Sequence, residues 1–172
     1  MNINYFVLFL LSLLGGIYLF FKPIDVQLDA PEELAQLELN QFVLHEYDTT
    51  RLKTILSGKD GKRFVDHYEI KNVNYTNNTE DYVENMTSDF GLYKGSLITL
   101  KKNVHYFRND GSHFTADHVV YNEKTSEATT IGAFKLWKEN DSIEGKDLLY
   151  NSQSGETSAK MITGIYLLKE SM

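Results

Sequence analysis

From about Leu34 to the C-terminus the apolar residues recur at every second position, and that period decides what the chain can fold into. Ile98, Leu100, Val104 and Tyr106 fall on one parity, with Thr99, Lys101, Asn103 and His105 on the other. Phe114, Ala116 and Val120 repeat the habit, as do Phe134 with Leu136, and Ile143, Gly145 and Leu149. Turn signals break the runs at short spacing: Gly58-Lys59-Asp60-Gly61, Asn109-Asp110-Gly111, Asn140-Asp141-Ser142 and Ser154-Gly155. Residues 32–172 hold no proline, so no strand is denied a backbone donor. A strand of this period turns alternate side chains to opposite faces, and many short ones in series predict an all-β sandwich, jelly roll or barrel. No helical stripe of comparable quality follows residue 22; Glu32 to Leu39 fits a short helix or a strand.

The amino terminus is of another kind. Ile3 to Phe21 is an apolar run whose only polar members are Asn4 and Ser12. As a helix it would span roughly 28 Å, about one hydrocarbon core. No Lys or Arg precedes it and no small-x-small site follows, so a retained anchor is expected rather than a cleaved signal. Gly15 and Gly16 offer a point where another membrane helix could approach closely. After Lys22 come Asp25, Asp29, Glu32 and Glu33, an acidic stretch that reads as a solvated tether. The expected division is an anchor over 1–22, a tether over 23–34 and a β-domain over 35–168.

Composition removes whole classes of chemistry. A net charge of −7 argues against binding nucleic acid through its phosphates, and the absence of cysteine excludes thiol catalysis, thiolate metal sites and disulfides. No nucleophile elbow, phosphate loop, zinc-protease helix or dinucleotide fingerprint occurs. His113, Asp117 and His118 tempt a metal reading, but in a strand His113 and Asp117 share a face while His118 turns away. No catalytic residue, metal or cofactor is expected. The chain instead carries a faint repeat: Phe114-x-Ala116-x-x-Val119-Val120-Tyr121-Asn122 lies over Ile143-x-Gly145-x-x-Leu148-Leu149-Tyr150-Asn151. Such a unit cannot bury its apolar face alone and stacks on its neighbours.

One stretch resembles a known family. Leu97-Ile98-Thr99-Leu100-Lys101-Lys102-Asn103-Val104-His105-Tyr106, then Asp110-Gly111, then Ala116-Asp117 and Tyr121-Asn122, is similar to the signature of the LptC family of lipopolysaccharide-export proteins. Phe134-Lys135-Leu136 and Ile143 to Tyr150 resemble its next strand pair. The chain departs from the family at Lys102, where Gly often precedes the Asn-Val pair, which leaves the local bulge open.

The resemblance implies a single-pass inner-membrane protein whose periplasmic β-jellyroll receives lipopolysaccharide from the LptB2FG transporter and passes it to LptA, with no chemistry of its own. It implies that the helix carrying Gly15 and Gly16 contacts the transporter. By parity, Ile98, Leu100, Val104, Tyr106, Phe114, Phe134, Leu136, Ile143 and Leu149 would line an acyl trough between two facing sheets, or equally form a sealed core. Met161, Ile162, Thr163, Ile165 and Leu167 would offer an edge to LptA. The alternative from another class is an anchored β-domain that scaffolds an envelope complex without holding lipid.

Overall fold

The computed structural model describes residues 33–167; the apolar run, Gly15, Gly16 and most of the acidic tether lie outside them. The described residues form β1 (Leu37–Tyr47), β2 (Leu52–Arg63), β3 (His67–Asn78), β4 (Val83–Lys94), β5 (Leu97–Arg108), β6 (Ser112–Asn122), β7 (Glu127–Thr130), β8 (Ala133–Lys138), β9 (Asp141–Asn151) and β10 (Thr157–Ile165). Among them there is no helix, so residues 33–39 are the lead into β1 and its first three residues. All ten strands belong to one antiparallel sheet. Consecutive strands are neighbours throughout, except that β7 and β8 lie end to end in one lane between β6 and β9. The topology is a meander of one sheet. The expected pair of facing sheets is absent from the described residues, and what replaces it is a bend within each strand.

That bend is written in the burial pattern. Strict alternation puts residues three apart on opposite faces. In β1, however, Leu39 and Phe42 are the two residues shielded from solvent; in β6 they are Ala116 and Val119. Ser88 and Gly91 repeat the step in β4. The register aligns these steps across the sheet. Leu39, Gly61, Ile70, Gly91, Leu100, Val119 and Thr130 pair in one transverse row. Phe42 with Gly58, Val73 with Ser88, and Val104 with Ala116, Phe134 and Gly145 make up a second. Leu100, Val104, Ala116, Val119 and Phe134 from both rows pack into one core. The two rows therefore face the same side and close on each other like the leaves of a book.

Between the rows runs a seam of exposed, mostly polar residues where the backbone changes hand. Gln41, Asn72, Lys102, Asn103, Asp147 and Met161 all have positive φ there, and Gly132 supplies it between β7 and β8. A left-handed residue breaks the alternation, so side chains before and after it can share a face. β5 carries an extra residue as well, shifting its register against β6 between Lys101 and Val104. The bulge left open by Lys102 is thus present, at φ 62° for Lys102 and 51° for Asn103, and Asn103 Nδ2 donates to Asp89 Oδ2 at 2.9 Å.

The segment Gly58-Lys59-Asp60-Gly61 is not a turn but the point where β2 crosses this seam. Its glycines make room for the crease: a Cβ at Gly58 would stand 2.6 Å from Ile70 Cγ2, and one at Gly61 would stand 2.7 Å from the Phe42 ring. Lysine gains nothing from φ 62°, which costs a residue with a Cβ about 1–2 kcal/mol. Lys102→Gly is therefore expected to stabilise the domain by roughly 0.5–1 kcal/mol, and Lys102→Val to destabilise it by roughly 1–2. Urea midpoints of the three proteins check the order; a valine variant as stable as the wild type would contradict it.

Candidate functional site

The inner face of the crease continues outward on both sides, and there the rows stop being buried. Beyond Phe42 and Val104 lies a row of Leu44, Leu56, Tyr75, Met86, Tyr106, Phe114, Leu136, Ile143 and Gly164, paired without a break from β1 to β10. Beyond Leu39 and Leu100 lies another: Leu37, Arg63, Tyr68, Tyr93, Ile98, Tyr121, Ala128, Tyr150 and Thr157, again unbroken. We call these the aliphatic wing and the tyrosine wing. Leu44, Tyr75, Leu136, Tyr68, Tyr93 and Tyr150 are exposed, although their faces continue the core. At about 4.8 Å per strand the two wings flank a trough roughly 40 Å long.

The aliphatic wing ends in a polar rim of ion pairs. Asp110 Oδ2 accepts from Arg108 at 2.6 Å and from Lys138 at 2.9 Å, and these cations hold its carboxyl far below the usual range. Glu46 takes Lys53 at 3.3 Å and the Thr54 hydroxyl. Partial burial raises the hydroxyls of Tyr75 and Tyr106 on this wing, Tyr106 to about 12. Tyr93 of the tyrosine wing is raised for a different reason, its hydrogen bond to Glu123 Oε2 at 3.1 Å, and its hydroxyl sits at the solvent edge.

Of the residues expected to line a trough, Leu100, Val104 and Phe134 lie at the bottom of the crease and are buried. Ile98, Tyr106, Phe114, Leu136 and Ile143 stand on the wings. Leu149 is a correction. It pairs with Thr129 and Ser158 in an outer-face row that also holds Val120, while Leu148 packs against the core. The left-handed Asp147 is the cause, since it moves the inner position of β9 from odd numbers to even after Gly145. Val120 yields to Val119 by the same half-period step. Leu56, Met86 and Tyr121 belong to the site and were missed; the x-x gap in Ala116-x-x-Val119 and Gly145-x-x-Leu148 was the signal for the step.

Comparison with known proteins adds little. No protein-family model matches the chain, and neither does any curated protein. Among the solved structures that are similar is LptH, the LptA-homologous periplasmic component of the lipopolysaccharide transport device of Pseudomonas aeruginosa, at 12% identity and a TM-score of 0.43, over 77% of this chain and 94% of that one.

The outer face holds a different set of groups. His113 stacks on Trp137 with ring centroids 4.9 Å apart, and His105 Nε2 lies 3.3 Å from His113 Nδ1. A depression of about 490 Å³ opens beside them, crossed by the Lys135–Glu144 ion pair at 2.6 Å. His113, Asp117 and His118 are not gathered into one site; His113 turns to His105 and Trp137 instead. The residues expected at the C-terminal edge, Met161, Ile162, Thr163 and Ile165, lie on β10, which pairs with β9 alone among the described strands, and Leu167 follows it; all are exposed. β1 is the opposite edge, paired with β2 alone.

Proposed function

We propose that this domain carries the acyl part of lipopolysaccharide in its creased trough during transport from the inner to the outer membrane. One observation carries the reading. A buried crease is flanked by an aliphatic row and a tyrosine-rich row whose Leu37, Leu44, Tyr68, Tyr75, Tyr93, Leu136 and Tyr150 the fold leaves exposed, and a sealed core would have covered them. Burying such surface under hydrocarbon gains about 25 cal/mol per Å², and because the aliphatic wing presents apolar side chains in lane after lane from β1 to β9, acyl chains move along it with little change in free energy. Directional flow must then be supplied from outside the domain. In this reading the LptB2FG transporter supplies it, the apolar run at residues 3–21 anchors the chain in the inner membrane beside that transporter, and the domain stands in the periplasm. The two free edges suit strand-by-strand joining, with β10 offered to LptA.

A photo-reactive residue tests the assignment in cells that make lipopolysaccharide. Placed at Met86, Phe114 or Tyr121 it should crosslink lipopolysaccharide; placed at Thr99, Thr115 or Leu149, on the outer face, it should not. Equal labelling of both faces, or of neither, would remove lipid transfer and leave the scaffold reading.

A further inference from the structure

The two wings are chemically unlike, and one cation on them has no acid to answer it. Arg63, Arg108 and Lys138 are the basic residues that the register places on the trough face. Arg108 and Lys138 share Asp110. Arg63 makes no ion pair with a carboxylate among the described residues; its guanidinium stands over the Tyr68 ring, 5.7 Å from the centroid. Tyr68 in turn leans on Tyr93 at 6.1 Å. Arg63 is exposed, and Tyr68 and Tyr93 leave 44% and 38% of their surface open. A planar guanidinium held against an aromatic face keeps its edge free, and that edge presents donors in the geometry a phosphate accepts.

We propose that Arg63, its guanidinium laid on the Tyr68 ring, holds the phosphorylated head of the lipid, so that the molecule lies across the trough. Its acyl chains then rest on Leu56, Met86 and Phe114. This rests on the trough being a lipid site and adds to it an orientation and a preference for an anionic amphiphile. The aliphatic wing cannot serve the head in the same way, because Arg108 and Lys138 are both bound to Asp110 and Glu84 faces Arg108 across the strand pair. Glu123 faces the same wing from the β6–β7 turn, where it accepts the Tyr93 hydroxyl, and it makes no ion pair with Arg63 among the described residues.

The full chain in phosphatidylcholine nanodiscs, with a photo-reactive residue at Phe114, can be titrated with lipid A and with a neutral acylated disaccharide of the same chains. Wild type should be labelled at a lower concentration of lipid A than of the neutral compound. Arg63→Gln should weaken lipid A labelling by roughly 5- to 20-fold and leave the neutral compound unchanged, with Arg63→Lys between the two. Equal weakening for both compounds, or none for either, overturns the placement of the head while the trough stands. Labelling of wild type by neither compound overturns both.

Discussion

Val104→Asp is expected to abolish folding of the β-domain. Val104 is only 1% exposed, at the bottom of the crease, and pairs with Ala116 beside Phe134. A carboxylate there has no partner within the core and cannot reach water, so it must either stay charged in an apolar medium or take up a proton. Either course costs about 4 kcal/mol or more, a large part of the stability of an ordinary domain. Circular dichroism and limited proteolysis of the full chain would show loss of strand signal and of protection. A Val104→Asp protein that melts within a few degrees of wild type would mean that the crease is wet.

Leu136→Asp is expected to do the reverse, leaving the fold intact and stopping the lipid. Leu136 lies two residues from Phe134 on the same face, but on the wing, where it is 42% exposed. Its carboxylate would keep its water in the empty protein, so the folding cost should stay below about 1 kcal/mol. An acyl chain passing over it would have to strip that water, a cost of several kcal/mol or a forced protonation. Lipopolysaccharide crosslinking from Phe114, its neighbour in the row, should fall by at least about tenfold with an unchanged melting curve. Crosslinking at the wild-type level would show that lipid does not travel along this wing.

The contrast separates residues that parity alone had grouped. Leu100, Val104 and Phe134 share their face with Ile98, Tyr106 and Leu136, so period two names them all as inward. It cannot say that the first three are buried while Ile98 and Tyr106 are half-buried and Leu136 is exposed. Depth depends on how far a residue stands from the seam, and the seam is a tertiary feature. The all-β class, the antiparallel hairpins at Asn109-Asp110-Gly111 and Ser154-Gly155, and the inward face of β5 were legible because local alternation and turn chemistry set them. In β5 the numbering even survived the bend, since the extra residue at the bulge restores the parity that the left-handed turn removes. β9 has the turn at Asp147 without an extra residue in its pairing to β8, and there the same reasoning picked Leu149 in place of Leu148. The glycines of Gly58-Lys59-Asp60-Gly61 misled in the same way. Glycine marks a turn and a close approach alike, and only the Phe42 ring tells which.

The seam also reaches both margins of the sheet, at Gln41 in β1 (φ 49°) and Met161 in β10 (φ 52°). A straight, flat strand laid along either margin can pair on one side of that residue, but its donors and acceptors fall out of step beyond it. Amyloid growth needs long flat margins that accept copies without limit. Here each open margin, though apolar, is interrupted at its midpoint, and full-length pairing is left to a strand that bends at the same place. The device that folds the sheet into a trough thus also guards its unpaired ends against indiscriminate aggregation.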